Sequence, residues 1–206
     1  MNEHLTKETT VVVKQTKRDE IDAYGRRGIE IFNEVELKLN ELVSETAEVL
    51  YNGMRARDFK TTCTQNAVDF GVACGDNMES MAEVISAASS YIATNLGGDP
   101  IDLEPPTVVV AMPDIKVDES IETADDGVLT GLKDNCTKVY TRVTELYDEH
   151  LNEFTRLGDE ESWVGPEYDS ALADVVSLTN TMRTGIEESQ TTMTGAIEKQ
   201  LADLGM

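Results

Sequence analysis

The chain has 206 residues, with 17 Lys and Arg against 40 Asp and Glu, which gives a formal net charge of −23. This charge argues against nucleic-acid binding, because phosphates require basic patches, and against charge-driven binding to an anionic membrane surface. It indicates a solvated, self-repelling surface or, as an alternative, a protein from a high-salt source, since halophiles use acid-rich, lysine-poor surfaces.

The cysteines and the N-terminus exclude further classes. Cys63, Cys74 and Cys136 are odd in number and form no C-x-x-C pair, so neither a disulfide framework nor a zinc site is predicted. The first ten residues are polar, so no secretory signal peptide is expected. No apolar run approaches the ~18 residues that a membrane span requires.

The chain repeats one pattern twice. Thr-Val-Val-Val stands at 10–13 and again at 107–110, and each copy precedes a long helical pattern, an aromatic-x-Gly turn and a second long helical pattern. The turns are Tyr51-Asn52-Gly53 and Trp163-Val164-Gly165. Each unit is a supersecondary piece that needs a partner to bury its apolar face.

Apolar or small residues recur at steps of three and four in four stretches, the spacing of one helix face. This pattern predicts helices over 19–52, 57–96, 121–158 and 166–204. The seam of the first helix is Ile21, Tyr24, Gly28, Phe32, Val35, Leu39, Leu42, Thr46 and Val49. The seam of the third is Ile121, Val128, Leu132, Cys136, Val139, Val143, Leu146, Phe154 and Leu157.

Long, evenly seamed helices joined by short turns form antiparallel hairpins, and two hairpins form a four-helix bundle. The predicted fold is therefore all-α, with a first hairpin unit over 1–98, a Pro-rich linker with an extended segment over 99–120, and a second hairpin unit over 121–206. The two Thr-Val-Val-Val runs have high β-propensity. They predict a small two-stranded ribbon over about 10–14 and 107–111; the alternative is an extended segment over a groove between helices.

The second unit resembles the WXG-motif family of helical hairpins, the early-secreted-antigen type exported by bacterial type VII (ESX) secretion systems. Members carry Trp-x-Gly in the turn of a hairpin of ~100 residues, and two hairpins pair antiparallel as a four-helix bundle. Trp163 and Gly165 match the motif. The extended Ile-x-Val of Ile115 and Val117, before the helix, is also common in the family.

The first unit resembles the family more loosely. Tyr51 stands in place of the Trp, and Gly53 matches the glycine. Phe59 lies where members often carry an aromatic residue on the second helix; in the second unit this position is Ala171, and the nearest aromatic residue is Tyr168. The resemblance implies two WXG-like hairpins fused into one polypeptide, an internal pseudo-dimer.

The resemblance covers about 19–96 and 113–204 and implies a non-enzymatic type VII secretion substrate, or a helical partner or adaptor of a secreted effector. Family substrates carry a Y-x-x-x-[DE] export signal after the second helix, and the closest match is Tyr91 to Asn95, a degenerate signal with Asn in place of the acid. The implied location is outside the cell without a cleaved signal peptide, or the cytoplasm before export. The implied partner is the secretion machinery or a secreted effector, and a homo-oligomer stays open.

Trp163 also has a purely structural interpretation. A reversal between long helices needs a residue that tolerates positive φ, which is Gly, and a large ring caps the open end of the bundle. The alternative function is a structural helical-bundle protein, a virion or surface-assembly component, of a high-salt organism.

No catalytic constellation is found, so no enzyme activity is predicted. The chain has no Ser-His-Asp order, no Gly-rich phosphate loop and no H-E-x-x-H. His4 lies in the polar terminus, and His150 lies near the seam of the third helix as a core or interface residue. No cofactor, metal or small-molecule substrate is expected.

Overall fold

The computed structural model describes residues 15–96, 100 and 107–205. Its helices are α1 (Gln15–Glu48), α2 (Met54–Leu96), α3 (Asp126–Asp159) and α4 (Pro166–Asp203). The pairs α1–α2 and α3–α4 are the two antiparallel hairpins of a four-helix bundle, so the predicted all-α fold is confirmed. Seams of apolar residues at helical spacing explain these long helices, because burial of such a face stabilises a helix more than propensity does.

Contacts divide the chain into two compact units, and each contains a segment of every helix. Unit 1 consists of Met1–Phe32, Asp76–Thr107 and Leu146–Met182; unit 2 consists of Asn33–Gly75, Val108–Glu145 and Arg183–Met206. This division cuts across the hairpins, so the predicted boundaries at 98 and 121, which follow the hairpins, stay a prediction.

Each unit has its own core, built from the predicted seams. The core of unit 1 contains Ile21, Tyr24, Ile85, Ala88, Ile92, Phe154, Leu157, Trp163, Tyr168, Ala171 and Val175. Buried apolar residues of unit 2 include Val35, Leu39, Leu42, Phe59, Cys63, Phe70, Leu129, Leu132, Cys136, Tyr140, Ile186 and Ile197.

The third helix begins five residues later than the seam predicts. Thr123 is held outside the helix by an antiparallel bridge with Asn52, whose N–H donates to Thr123 O at 2.9 Å. Asp125 then caps the helix, because its carboxylate accepts the N–H of Val128 at 3.2 Å. Ile121 was expected in the core and is 49% exposed.

Residues 107–111 form no strand in the described part of the chain, and the other half of the predicted ribbon, 10–14, lies outside the described residues. The Asn40 amide of α1 donates to Val109 O at 2.8 Å and accepts the N–H of Ala111 at 3.1 Å. On α2, a Cβ at Gly71 would collide with Val110. In unit 2 this segment therefore lies over α1 and α2, as the alternative interpretation expects.

Candidate interaction site at the two aromatic-glycine turns

The turn before Trp163 is held by hydrogen bonds to the last turn of α3. Ser162 N donates to Leu157 O at 2.8 Å, and Glu161 N donates to Gly158 O at 3.0 Å. These two bonds are the pair that defines a Schellman C-cap, in which the residue after the cap adopts the left-handed conformation. Glu161 holds this position with φ 54°, which is unusual for a residue with a side chain.

The Trp163 ring is the largest fully buried side chain, with 0% exposure. It makes edge-on contacts with Phe154, at 5.9 Å between ring centroids, and with Tyr168, at 5.6 Å. Its Nε1 is buried without a hydrogen-bond partner among the described residues. This lowers stability because burial removes the hydrogen bond of the N–H group to water and no protein acceptor replaces it. The turn tolerates this because the ring fills the core of unit 1.

Tyr168 completes this aromatic cluster at the first turn of α4. Its ring stacks on Phe154, with 5.5 Å between centroids and an interplanar angle of 11°. Its hydroxyl donates to Thr155 O at 3.2 Å, and burial raises the pKa of the phenol. The ring passes so close to α3 that a Cβ at Gly158 would lie 2.5 Å from its edge.

At the Tyr51 turn of unit 2, an aromatic ring is also buried against a second aromatic ring. Tyr51 is 3% exposed, and its ring contacts Phe59 edge-on at 5.7 Å between centroids. Its hydroxyl donates to Gln200 Oε1 of α4 at 2.7 Å. Burial raises the pKa of this phenol as well.

The glycines of both turns have positive φ. Gly53 has φ 112° and Gly165 has φ 130°, a region that side chains rarely adopt. After each glycine a helix begins, with Ala56 N donating to Gly53 O and Asp169 N donating to Gly165 O, both at 3.1 Å. The two motifs therefore share burial of the aromatic ring, the conformation of the glycine and the start of the next helix.

The first turn is covered by the linker before α3. Gly53 N donates to Asp118 O at 3.0 Å, and the Asn52 side chain accepts the N–H of Asp118 at 3.1 Å. Arg57 pairs with Glu119 at 2.5 Å. Sequence reasoning missed this cover, because the linker contacts are polar and leave no periodic apolar signal.

The residues of the degenerate export signal lie in unit 1, in the last turns of α2. Tyr91 packs half-buried against the cluster that contains Trp163. A hydrogen bond to Glu167 is the largest cause of its raised pKa. Asn95 is exposed, and its side chain donates to Tyr91 O of its own helix at 2.8 Å. The structure therefore brings Tyr91 to the Trp163 cluster of unit 1.

His150 is a buried polar residue whose partner the sequence did not reveal. The Tyr24 hydroxyl lies 2.8 Å from its Nε2, and burial lowers the pKa of the imidazole to about 4. Gly28 lies against the same ring, with 3.0 Å from a built Cβ to Nε2. The imidazole is therefore neutral near pH 7, and its role is to pack α1 on α3 in unit 1.

The cysteines do not provide a reactive site. All three are buried and none of them forms a disulfide, and burial raises the pKa of Cys63 and Cys136 to about 12. A thiol at such a pKa is not ionised at neutral pH and is a poor nucleophile. Over the described residues, no group of three or more His, Cys, Asp or Glu side chains is placed to hold a metal ion.

Comparison with protein-family models, curated proteins and solved structures yields no match to this chain. Within its described part, no helix combines the length and apolarity needed to cross a membrane.

Proposed function

We propose that this protein is a non-enzymatic helical interaction protein, a fused pair of WXG-like hairpins that serves type VII secretion as a substrate or as the helical partner of a secreted effector. The observation that carries the proposal is the common geometry of the two turns, each with a buried aromatic ring and a glycine at positive φ. One chain then supplies both hairpins that the family brings together from separate chains.

Burial of Trp163 limits how a partner reads the motif. With 0% of the ring exposed, a partner contacts the surface that the turn shapes rather than the indole itself. The partner is the secretion machinery or an effector with a full export signal, and the protein is cytoplasmic before export and external after it. Nucleic acid is an unsuitable partner for a chain of charge −23.

The degenerate signal offers the sharpest test. Asn95→Asp restores the acidic position of Y-x-x-x-[DE]. The side chain is exposed, so the change costs the fold little beyond the hydrogen bond that Asn95 donates to Tyr91 O. In a bacterium with a type VII system, Asn95→Asp is expected to increase the amount of protein in the culture supernatant, and loss of the membrane ATPase of that system is expected to abolish the increase. Asn95→Gln, which alters the same side chain without adding an acid, is the control.

Tyr91→Phe in the Asn95→Asp background separates the signal from packing. Phenylalanine keeps the ring against the Trp163 cluster and removes only the hydroxyl that meets Glu167. Export is expected to fall while the melting temperature changes little. If folded Asn95→Asp protein stays inside the cell, the type VII assignment is wrong.

A second function, a structural bundle of a virion or surface assembly in a high-salt organism, is favoured by the acidic composition. The excess of 40 acidic over 17 basic residues opposes compaction unless salt screens it. Loss of fold at low salt, together with neighbouring capsid or tail genes, is the expected finding for this alternative. A neighbouring secretion ATPase gene and a fold that persists at low salt are expected for the type VII function.

A further inference from the structure

Unit 2 has an apolar groove on its surface, between α1 and α3. Its volume is about 840 Å³, and its apolar lining comprises Leu37, Val49, Leu50, Val128 and Leu132. Leu37 is 54% exposed and Leu50 is 73% exposed. Exposed leucines that line one groove gain free energy when a partner covers them.

The floor of the groove contains a glycine that the folded chain itself does not require. Gly131 lies inside α3 and lines the groove, and a Cβ built on it meets nothing within 4 Å. Glycine in a helix interior is destabilising relative to alanine. By contrast, packing within the chain explains the glycine at position 71, since a Cβ there would collide with Val110. The missing side chain at Gly131 leaves room for another backbone to approach α3 closely.

One edge of the groove is acidic. Glu41, Glu45 and Glu48 follow one another along α1, and all three are exposed. Lys38 bonds Glu41 at 2.7 Å, and the Asn135 amide bonds Glu45. This leaves the α1 edge with more carboxylates than cations, above an apolar floor.

We propose that this groove binds an amphipathic helix of a partner protein, with large aliphatic residues on the face that enters the groove and Lys or Arg beside the α1 edge. An apolar helix face laid into a groove is a common recognition mode, and charge complementarity fixes the orientation and accelerates association. A second copy of this chain is a poor occupant, since it also carries a charge of −23 and brings like charges to the acidic edge.

The proposal rests on the proposed function only in requiring a protein partner, and it specifies the chemistry of that partner. The groove is separate from the Tyr91–Asn95 segment, which belongs to unit 1. Failure of the Asn95→Asp export test therefore removes the type VII assignment and leaves the groove open to its own test.

The test is binding of two labelled peptides to the full chain, followed by fluorescence anisotropy. One peptide is a helix of about five turns with Leu on one face and Lys along its flanks; the other is a scrambled sequence of the same composition and charge. Gly131→Leu fills the groove floor. The matched control is Gly195→Leu, because Gly195 is also a helical glycine with open space around its Cβ and does not line the groove.

The amphipathic peptide is expected to bind at least about tenfold more tightly than the scrambled one, and Gly131→Leu is expected to remove about that factor while Gly195→Leu changes it less than about twofold. Equal binding of the two peptides would show general attraction to an acidic surface and overturn the proposal. Equal effects of the two leucine variants would also overturn it. So would concentration-dependent self-association of the wild type that Gly131→Leu abolishes, since the occupant would then be a second copy.

Discussion

Replacement of Gly158 by alanine is expected to destabilise unit 1 through one neighbour, the ring of Tyr168. The added Cβ would lie 2.5 Å from Cε1, Cζ and Oη of that ring. The ring is not free to swing away, because it stacks on Phe154 and contacts Trp163 edge-on. Either the cluster or the last turn of α3 must shift.

The magnitude follows from two opposing effects. Overpacking of a core by a methyl group costs about 1–3 kcal/mol, and three close contacts with a stacked ring place this site near the upper value. Alanine is better than glycine within a helix by about 1 kcal/mol. Gly158→Ala should therefore lower the free energy of unfolding by about 2 kcal/mol.

A double-mutant cycle with Tyr168→Ala isolates the contact. Removal of the ring removes the collision, so in that background Gly158→Ala should raise the free energy of unfolding by up to about 1 kcal/mol. The coupling between the two sites is then about 3 kcal/mol, measured by urea denaturation of all four proteins. Effects that add within about 0.5 kcal/mol would refute this description of the aromatic cluster.

Three further predictions concern the turn, a buried histidine and the surface charge. Glu161→Gly should raise the free energy of unfolding by about 1 kcal/mol, measured by urea denaturation, because φ 54° suits glycine. Glu161→Gln keeps the backbone strain and removes the charge, so it should raise the free energy of unfolding much less. Equal effects of the two variants would assign the stabilisation to the loss of charge. Burial lowers the pKa of His150 to about 4, and the unfolded value is about 6.5, so the unfolded chain binds the proton first as pH falls. Stability relative to His150→Gln should therefore fall between about pH 6.5 and 4, by up to about 3 kcal/mol, and parallel pH profiles would contradict this. The melting temperature should rise between ~0.1 and ~1 M salt, because the Debye length shrinks from ~10 to ~3 Å; an unchanged value would mean that the acidic residues already lie too far apart to interact.

The sequence predicted the helices and most of the core because the seams are long and regular. All nine residues of the first seam, from Ile21 to Val49, are buried. The start of α4 at Pro166 is as predicted. On α4, Thr179 and Ser189 are buried although polar. An apolar pattern omits such residues. Ser189 lies at the core because Tyr140 Oη is 2.7 Å from its hydroxyl.

Contacts between distant segments could not be predicted in this way. The end of α1 at Glu48 rather than at 52 depends on α2, where the Lys60 ammonium donates to Ala47 O at 3.0 Å. The late start of α3 depends on the pairing of Thr123 with Asn52. Such hydrogen bonds join residues far apart in the sequence, and helical periodicity carries no information about them.

At the candidate site, too, the motif predicts local features of the turn, and the fold determines which residues the turn contacts. Trp-x-Gly specifies a large ring and a permissive backbone, and both are found at the turn. Whether the ring faces a partner or the core depends on its contacts with Phe154 and Tyr168, which Trp-x-Gly alone does not specify. The motif therefore supports the architecture directly and the function only through the surface around it.

The net charge of the chain also bears on the chemistry of the proposed partner. A charge of −23 argues against nucleic acid, whose phosphates are also negative. On the α1 edge of the groove, the same excess places Glu41, Glu45 and Glu48 beside exposed leucines. A partner that covers those leucines must approach these carboxylates, so its cations determine the orientation and its aliphatic residues the affinity. High salt is therefore expected to stabilise the fold and to weaken the proposed complex, two opposite responses that come from one set of charges.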